Sequence, residues 1–200
     1  MALNKKKLAA ILEKKLKDDK TFQNALKIME ANSDGGKIWL IGGAVYQNLA
    51  NRLYGRDNSP KDYDFILENK NEEIMVPFGW TKQNSSLNGH RLIESFGEGI
   101  IDFVSLDEVY SINQRHMTPH ISNFLSGTPL NIQSMAYEVH DKTLEGHEGI
   151  DSLEKKLVRA YNLEMAKEYA QMKNSNVNKY IVYIAKKINF TAELLNRKKI

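Results

Sequence analysis

Three acidic side chains, Asp62, Asp64 and Asp102, have the types and spacing to do chemistry together. Asp62 and Asp64 open an apolar run, Asp62-Tyr63-Asp64-Phe65-Ile66-Leu67. In a strand, residues two apart share a face, so both carboxylates can converge on one point. Two neighbouring anions repel each other and resist desolvation unless cations neutralise them. Magnesium suits that role because it prefers carboxylate oxygens and keeps sites for water and phosphate. Asp102 lies inside a second apolar run, Ile100-Ile101-Asp102-Phe103-Val104-Ser105-Leu106. A lone carboxylate there is expensive without a partner. If the two runs are neighbouring strands, the three carboxylates form a cradle for two magnesium ions, the arrangement that drives phosphoryl transfer.

A glycine pair adds a place for phosphate. Ile38 to Ile41 reads as a short strand, and Val45, Leu49 and Leu53 recur at helical spacing after it, so Gly42-Gly43 sits in a strand-to-helix turn. Glycine lets backbone approach a ligand closely, and the N–H groups of a helix start attract anions. The pattern matches neither the Walker loop nor the dinucleotide fingerprint. Lys61, beside the aspartates, and Arg56, in the preceding loop, are the cations nearest in sequence for triphosphate oxygens. His116 and His120 are separated by Pro119 and lack the acidic companion of a zinc motif. Tyr180 and Tyr183 with Lys186 and Lys187 read as a packed helix face with lysines reaching to solvent.

The elements that must position these groups are legible in outline. Leu8, Ile11, Leu12 and Leu16, then Phe22, Leu26 and Met29, predict one or two helices, ended by Asn32-Ser33-Asp34-Gly35-Gly36. Strands are predicted at 37–41 and 63–67, and at 90–95 and 100–106 around a turn at Phe96-Gly97-Glu98-Gly99. Short helices broken at Pro119 follow, then a strand over 131–139 with a brief return at Thr143-Leu144, and helix from Asp151 onward. The expected class is α/β (α+β): a short mixed sheet, helices packed on one side, and helical extensions at both termini. Residues 1–160 are expected to form one domain and 161–200 a C-terminal helical extension.

In their order and spacing these motifs resemble the polymerase-β-type nucleotidyltransferases, most closely the head domain of tRNA CCA-adding enzymes and bacterial poly(A) polymerases. The resemblance runs over roughly residues 38–159. It rests on Gly42-Gly43-Ala44-Val45, Asp62-x-Asp64, the Asp102 strand, Asn131 to Tyr137 and Gly149 to Arg159. It implies that Gly42 and Gly43 face the triphosphate, that Asp62 and Asp64 bind both metals, and that Asp102 binds the catalytic one. It also implies magnesium and a nucleoside triphosphate, ATP being the expected donor. Two family motifs are replaced: Tyr46-Gln47 stands where the family has Arg-Asp, and Gly127-Thr128-Pro129-Leu130-Asn131 where it has Arg-Arg-Asp-Phe-Thr. No Glu-Asp-x-x-Arg template for choosing C and A is present. The superfamily's transfer chemistry is therefore expected, without CCA addition itself. The acceptor stays open among an RNA 3′ end, a small molecule and a protein side chain. A non-catalytic nucleotide-binding or regulatory module of the same fold is the alternative, and a scaffold holding a partner protein a third reading.

Composition narrows the classes. The 200 residues are 42% hydrophobic and 26% charged, enough for one core. With no cysteine, disulfides, thiolate zinc sites and cysteine nucleophiles are excluded. The net charge of +3 is uneven, positive in residues 1–20 and 151–200 and negative between them. Basic termini attract polyanions only weakly at this density. Charged residues interrupt every apolar run, and Met1 to Lys7 leads into a segment lacking a signal-peptide core, so a soluble cytoplasmic protein with no membrane partner is expected.

Overall fold

The computed structural model describes residues 3–55, 60, 62–85, 89–97 and 99–196. The N-terminal segment forms two helices, α1 (Lys5–Lys17) and α2 (Lys20–Asn32). Each starts where a side chain satisfies a free N–H group: Asn4 accepts from Lys6 N, and Asp19 from Phe22 N. The chain then runs through β1 (Ile38–Ile41), α3 (Gly42–Tyr54), β2 (Asp62–Leu67), β3 (Trp80–Asn84), β4 (His90–Glu94) and β5 (Ile100–Ser105). Next come α4 (Tyr110–Gln114), α5 (Ile121–Ser126), β6 (Ala136–Glu138), β7 (Thr143–Glu145) and α6 (His147–Lys155). A two-residue strand β8 (Leu157–Val158), helices α7 (Leu163–Met172) and α8 (Val177–Ile188), and β9 (Thr191–Ala192) complete the order.

Seven strands form one mixed sheet in the order β3-β4-β5-β2-β1-β6-β7. β2 and β5 pair in parallel, whereas the other neighbours in this sheet are antiparallel. Alternation sorts the side chains of its central strands onto two faces. Ile38, Leu40, Tyr63, Phe65, Leu67, Ile101 and Phe103 join the main core with residues of α1, α2, α3 and α8. This is the expected helical layer, and it is continuous from Leu8 to Ile188. The opposite face carries a smaller cluster, in which Trp39 and Ile66 pack against Ile112 of α4 and Ile121 and Leu125 of α5.

Three local departures from the sequence reading have physical causes. The strand expected over 131–139 is confined to Ala136–Glu138, and residues 131–133 form a 3-10 turn. There the buried Asn131 side chain accepts from the N–H groups of Ile132 and Arg159 and donates to Leu157 O, drawing the backbone out of the sheet. β3 escapes the apolar-alternation test because it is an edge strand whose side chains after Trp80 are exposed. The helix expected from Asp151 onward is interrupted after α6, where Lys156 turns left-handed (φ 51°) and β8 pairs with β9.

Candidate active site

The period-2 alternation that buries Tyr63, Phe65, Ile101 and Phe103 in the main core turns Asp62, Asp64 and Asp102 to the other face. In the parallel ladder Asp64 lies directly opposite Asp102, and Asp62 one pleat further along β2. The structure thus brings all three expected carboxylates to one face of two adjacent strands. Asp62 is exposed and Asp64 half-buried. Burial, then the charges of Asp102 and Asp62, push the Asp64 carboxyl up to about 7, with Arg91 and Lys187 opposing the shift.

Gly42 abuts this pair. It opens α3 with a left-handed backbone (φ 66°), and a Cβ there would collide with Asp64 Oδ2. A side chain at 42 would therefore strain the turn and cover the carboxylate together. Gly43 is less constrained, since a Cβ would meet only the movable end of Gln47. The side chain of Ile41 does not cap the start of α3, so it supplies no local acceptor for the helix's first N–H groups. Lys61 and Arg56 fall outside the described residues.

The sequence reading missed four neighbours. Arg91, on β4, lies opposite Asp102 and donates from Nε and Nη2 to its two carboxylate oxygens at 2.8 and 2.7 Å. Lys187, on α8, acts on Asp64 as a second positive charge. Tyr46, on α3, is buried within reach of the Asp64 charge; burial first, then that carboxylate, keeps its phenol neutral. Tyr169, on α7, feels both Asp64 and Asp102 and packs on Tyr180 with ring centroids 5.0 Å apart. The aromatic and polar character of residues 169–187 was visible, but only the tertiary fold carries α7 and α8 to the site. Beside the carboxylates lies an open cavity of about 220 Å³, lined among others by Val104, Tyr110, Phe124, Met165, Tyr169 and Met172. Its walls are mainly apolar, suited to a flat ring or another apolar group.

A divalent cation is compatible with part of this arrangement. Asp62 and Asp64 offer hard oxygen donors from one edge, and the bare Gly42 leaves room at Asp64. Asp102 differs, because both of its oxygens are engaged by Arg91. Among the described residues, no group of three His, Cys, Asp or Glu side chains stands in a metal-holding array.

Comparison with solved structures gives the architecture a context. A CCA-adding enzyme in complex with CTP superposes with a TM-score of 0.61 at 17% identity over 93% of this chain and 43% of the other. The chain shares the fold of CCA-adding enzymes. The Thermotoga maritima CCA-adding enzyme complexed with tRNA gives 0.58 at 16% identity over 95% of this chain and 43% of that one. The Bacillus stearothermophilus CCA-adding enzyme with CTP gives 0.57 at 15% over 88% and 41%. This chain spans less than half the length of these enzymes. No family model matches the sequence, and no curated protein matches it significantly. Among the described residues no helix is long and apolar enough to cross a membrane.

Proposed function

We propose that this chain is a metal-dependent nucleotidyltransferase, moving a nucleoside monophosphate from a nucleoside triphosphate to an acceptor hydroxyl and releasing pyrophosphate. The observation that carries the reading is the acid face: Asp62, Asp64 and Asp102 on adjacent parallel strands, against the glycine start of α3. The shared fold with enzymes solved with CTP and with ATP supports a nucleoside triphosphate donor. ATP is the donor to test first.

Asp62 and Asp64 would hold magnesium, which supplies a Lewis acid for the phosphate oxygens. Gly42 and Gly43 let the triphosphate approach the first N–H groups and positive end of α3. Lys61 is proposed as a further triphosphate contact. The acceptor oxygen forms a bond to the α-phosphorus, and the bond from that phosphorus to the bridging oxygen of the β-phosphate breaks. Pyrophosphate leaves with the bonding electron pair, and the acceptor proton passes to solvent. Catalysis then rests on positioning and charge neutralisation, with no covalent enzyme intermediate. An RNA 3′ end and a small molecule are the acceptors proposed; the apolar cavity beside Asp64 favours a ring-bearing one.

Incubation with magnesium, labelled nucleoside triphosphates and separate cellular RNA, protein and metabolite fractions tests the reading. Label should enter one fraction and be lost with Asp62→Ala or Asp64→Ala. Undiminished uptake in both variants overturns it. The replacement of the family's Arg-Asp by the neutral, buried Tyr46 and by Gln47 favours a second reading, a nucleotide-binding module without turnover. Metal-dependent nucleotide binding with no pyrophosphate release, over the same acceptor fractions, distinguishes it.

A further inference from the structure

Arg91 gives the acid face a cation of its own. The antiparallel register of β4 and β5 sets it directly across from Asp102, and the β2–β5 register sets Asp64 on the other side of the same aspartate. The three residues form a row across three neighbouring strands. The guanidinium meets Asp102 in a two-pronged pair, Nε to Oδ1 at 2.8 Å and Nη2 to Oδ2 at 2.7 Å. Such a fork uses both carboxylate oxygens and fixes the carboxylate plane, and an arginine does not give up its charge in a protein. The Asp102 side chain is 21% exposed and lines the cavity, and that of Arg91 is 41% exposed, so the pair runs from the cavity wall outward toward solvent. From there the Arg91 charge also acts on Asp64 and Asp62.

When ionised, the three carboxylates set against the Arg91 guanidinium and the Lys187 ammonium leave a formal charge of −1, which a single divalent ion more than cancels. A second ion would have to displace the fork or add its charge to a site already neutralised. Neither Asp62 nor Asp64 makes a comparable pair among the described residues. We infer that the site holds one divalent cation, on Asp62 and Asp64, and that Arg91 stands permanently at Asp102 in place of a second ion. The inference rests on the cation reading of Asp62 and Asp64 given above. It assigns Asp102 to holding Arg91 rather than to ligating metal, which departs from the two-ion expectation of the sequence.

Manganese serves as the probe, titrated into the nucleotide-free full chain at pH 8 and followed by the electron paramagnetic resonance of free ion. The wild-type chain should bind one ion. Arg91→Gln frees Asp102 and should add a second ion or tighten binding by about tenfold. The double variant Arg91→Gln with Asp102→Asn keeps the formal charge of the wild type and loses no ligand, so it should bind one ion within about threefold of wild type. Circular dichroism checks folding. If Arg91→Gln does not fold, the double variant decides, because it leaves no unpaired charge. Two ions in the wild type, unchanged binding in a folded Arg91→Gln, or a loss of about tenfold or more in the double variant overturns the inference. One ion in the wild type with any of the contrary variant results sinks the role of Arg91 alone. No binding to the wild type sinks the cation reading as well.

Discussion

The two faces of β2 and β5 carry opposite physics on the same few residues. Tyr63, Phe65, Ile101 and Phe103 point into the main core, where the Phe22 ring of α2 stacks on Phe65 with centroids 6.2 Å apart and meets Tyr63 tilted, with centroids 5.6 Å apart. Asp62, Asp64 and Asp102 alternate with them on the other side and repel one another. The apolar face rewards folding, and the acid face opposes it. A pair of strands can hold mutually repelling anions in register only because the opposite side of the same backbone is anchored. The acid face therefore draws on stability supplied one residue away.

Substitutions on either face should separate the two roles. Phe65→Ala opens a cavity in the core and should cost about 3–5 kcal/mol. A calorimetric melt should fall by about 6–20 °C. A shift of only a degree or two would mean that this face does not anchor the strands.

Asp64→Asn should move stability the other way. The Asp64 carboxyl titrates near 7 in the fold and near 3.8 when free. The native state therefore holds an extra proton between those values, and its contribution to stability is complete below pH 3.8. It is lost as pH rises through 7. At pH 8 without metal, Asp64→Asn should be more stable than wild type by a few kcal/mol, at most about 4. Denaturant melts from pH 4 to pH 8 should show a declining limb in the wild type that the variant flattens. An equal slope in both would remove Asp64 as the strained group.

Gly42→Ala joins the faces, since the added methyl meets Asp64 Oδ2 and a positive φ at once. A loss of about 1–3 kcal/mol is expected, together with weakened nucleotide binding by calorimetry. Unchanged binding would detach the glycine turn from the site. The smallest effect belongs to a solvated pair remote from either face: Lys155→Ala, removing the contact of 2.8 Å to Asp151 within α6, should shift the melting free energy by less than about 0.5 kcal/mol.

What could be read from sequence follows from the range of the forces involved. Alternation has period two, so the shared face of Asp62 and Asp64 was visible from two residues, and the strand around Asp102 from its apolar flanks. The Gly42 turn was visible as a composition signal, although the reason for Gly42, the closeness of Asp64, is tertiary. Arg91 was out of reach for a definite reason. Centring the hairpin on its four-residue turn sets Ile93 opposite Asp102, whereas the observed register is shifted by one pleat and sets Arg91 there. β3 was missed because polar edge strands lack an apolar pattern. Tyr169 and Lys187 were invisible as site residues because only the tertiary fold sets α7 across the cavity from Asp64 and brings the charge of Lys187 to bear on it.

The central claim is that the acid face carries out nucleotidyl transfer. Its most direct test is pyrophosphate release from a nucleoside triphosphate with magnesium and the acceptor fraction that takes up label, wild type against Asp64→Asn at equal concentrations of folded protein. Release in the wild type, matched to label transferred and absent from Asp64→Asn, is the expected result. Equal release from both proteins would contradict the claim.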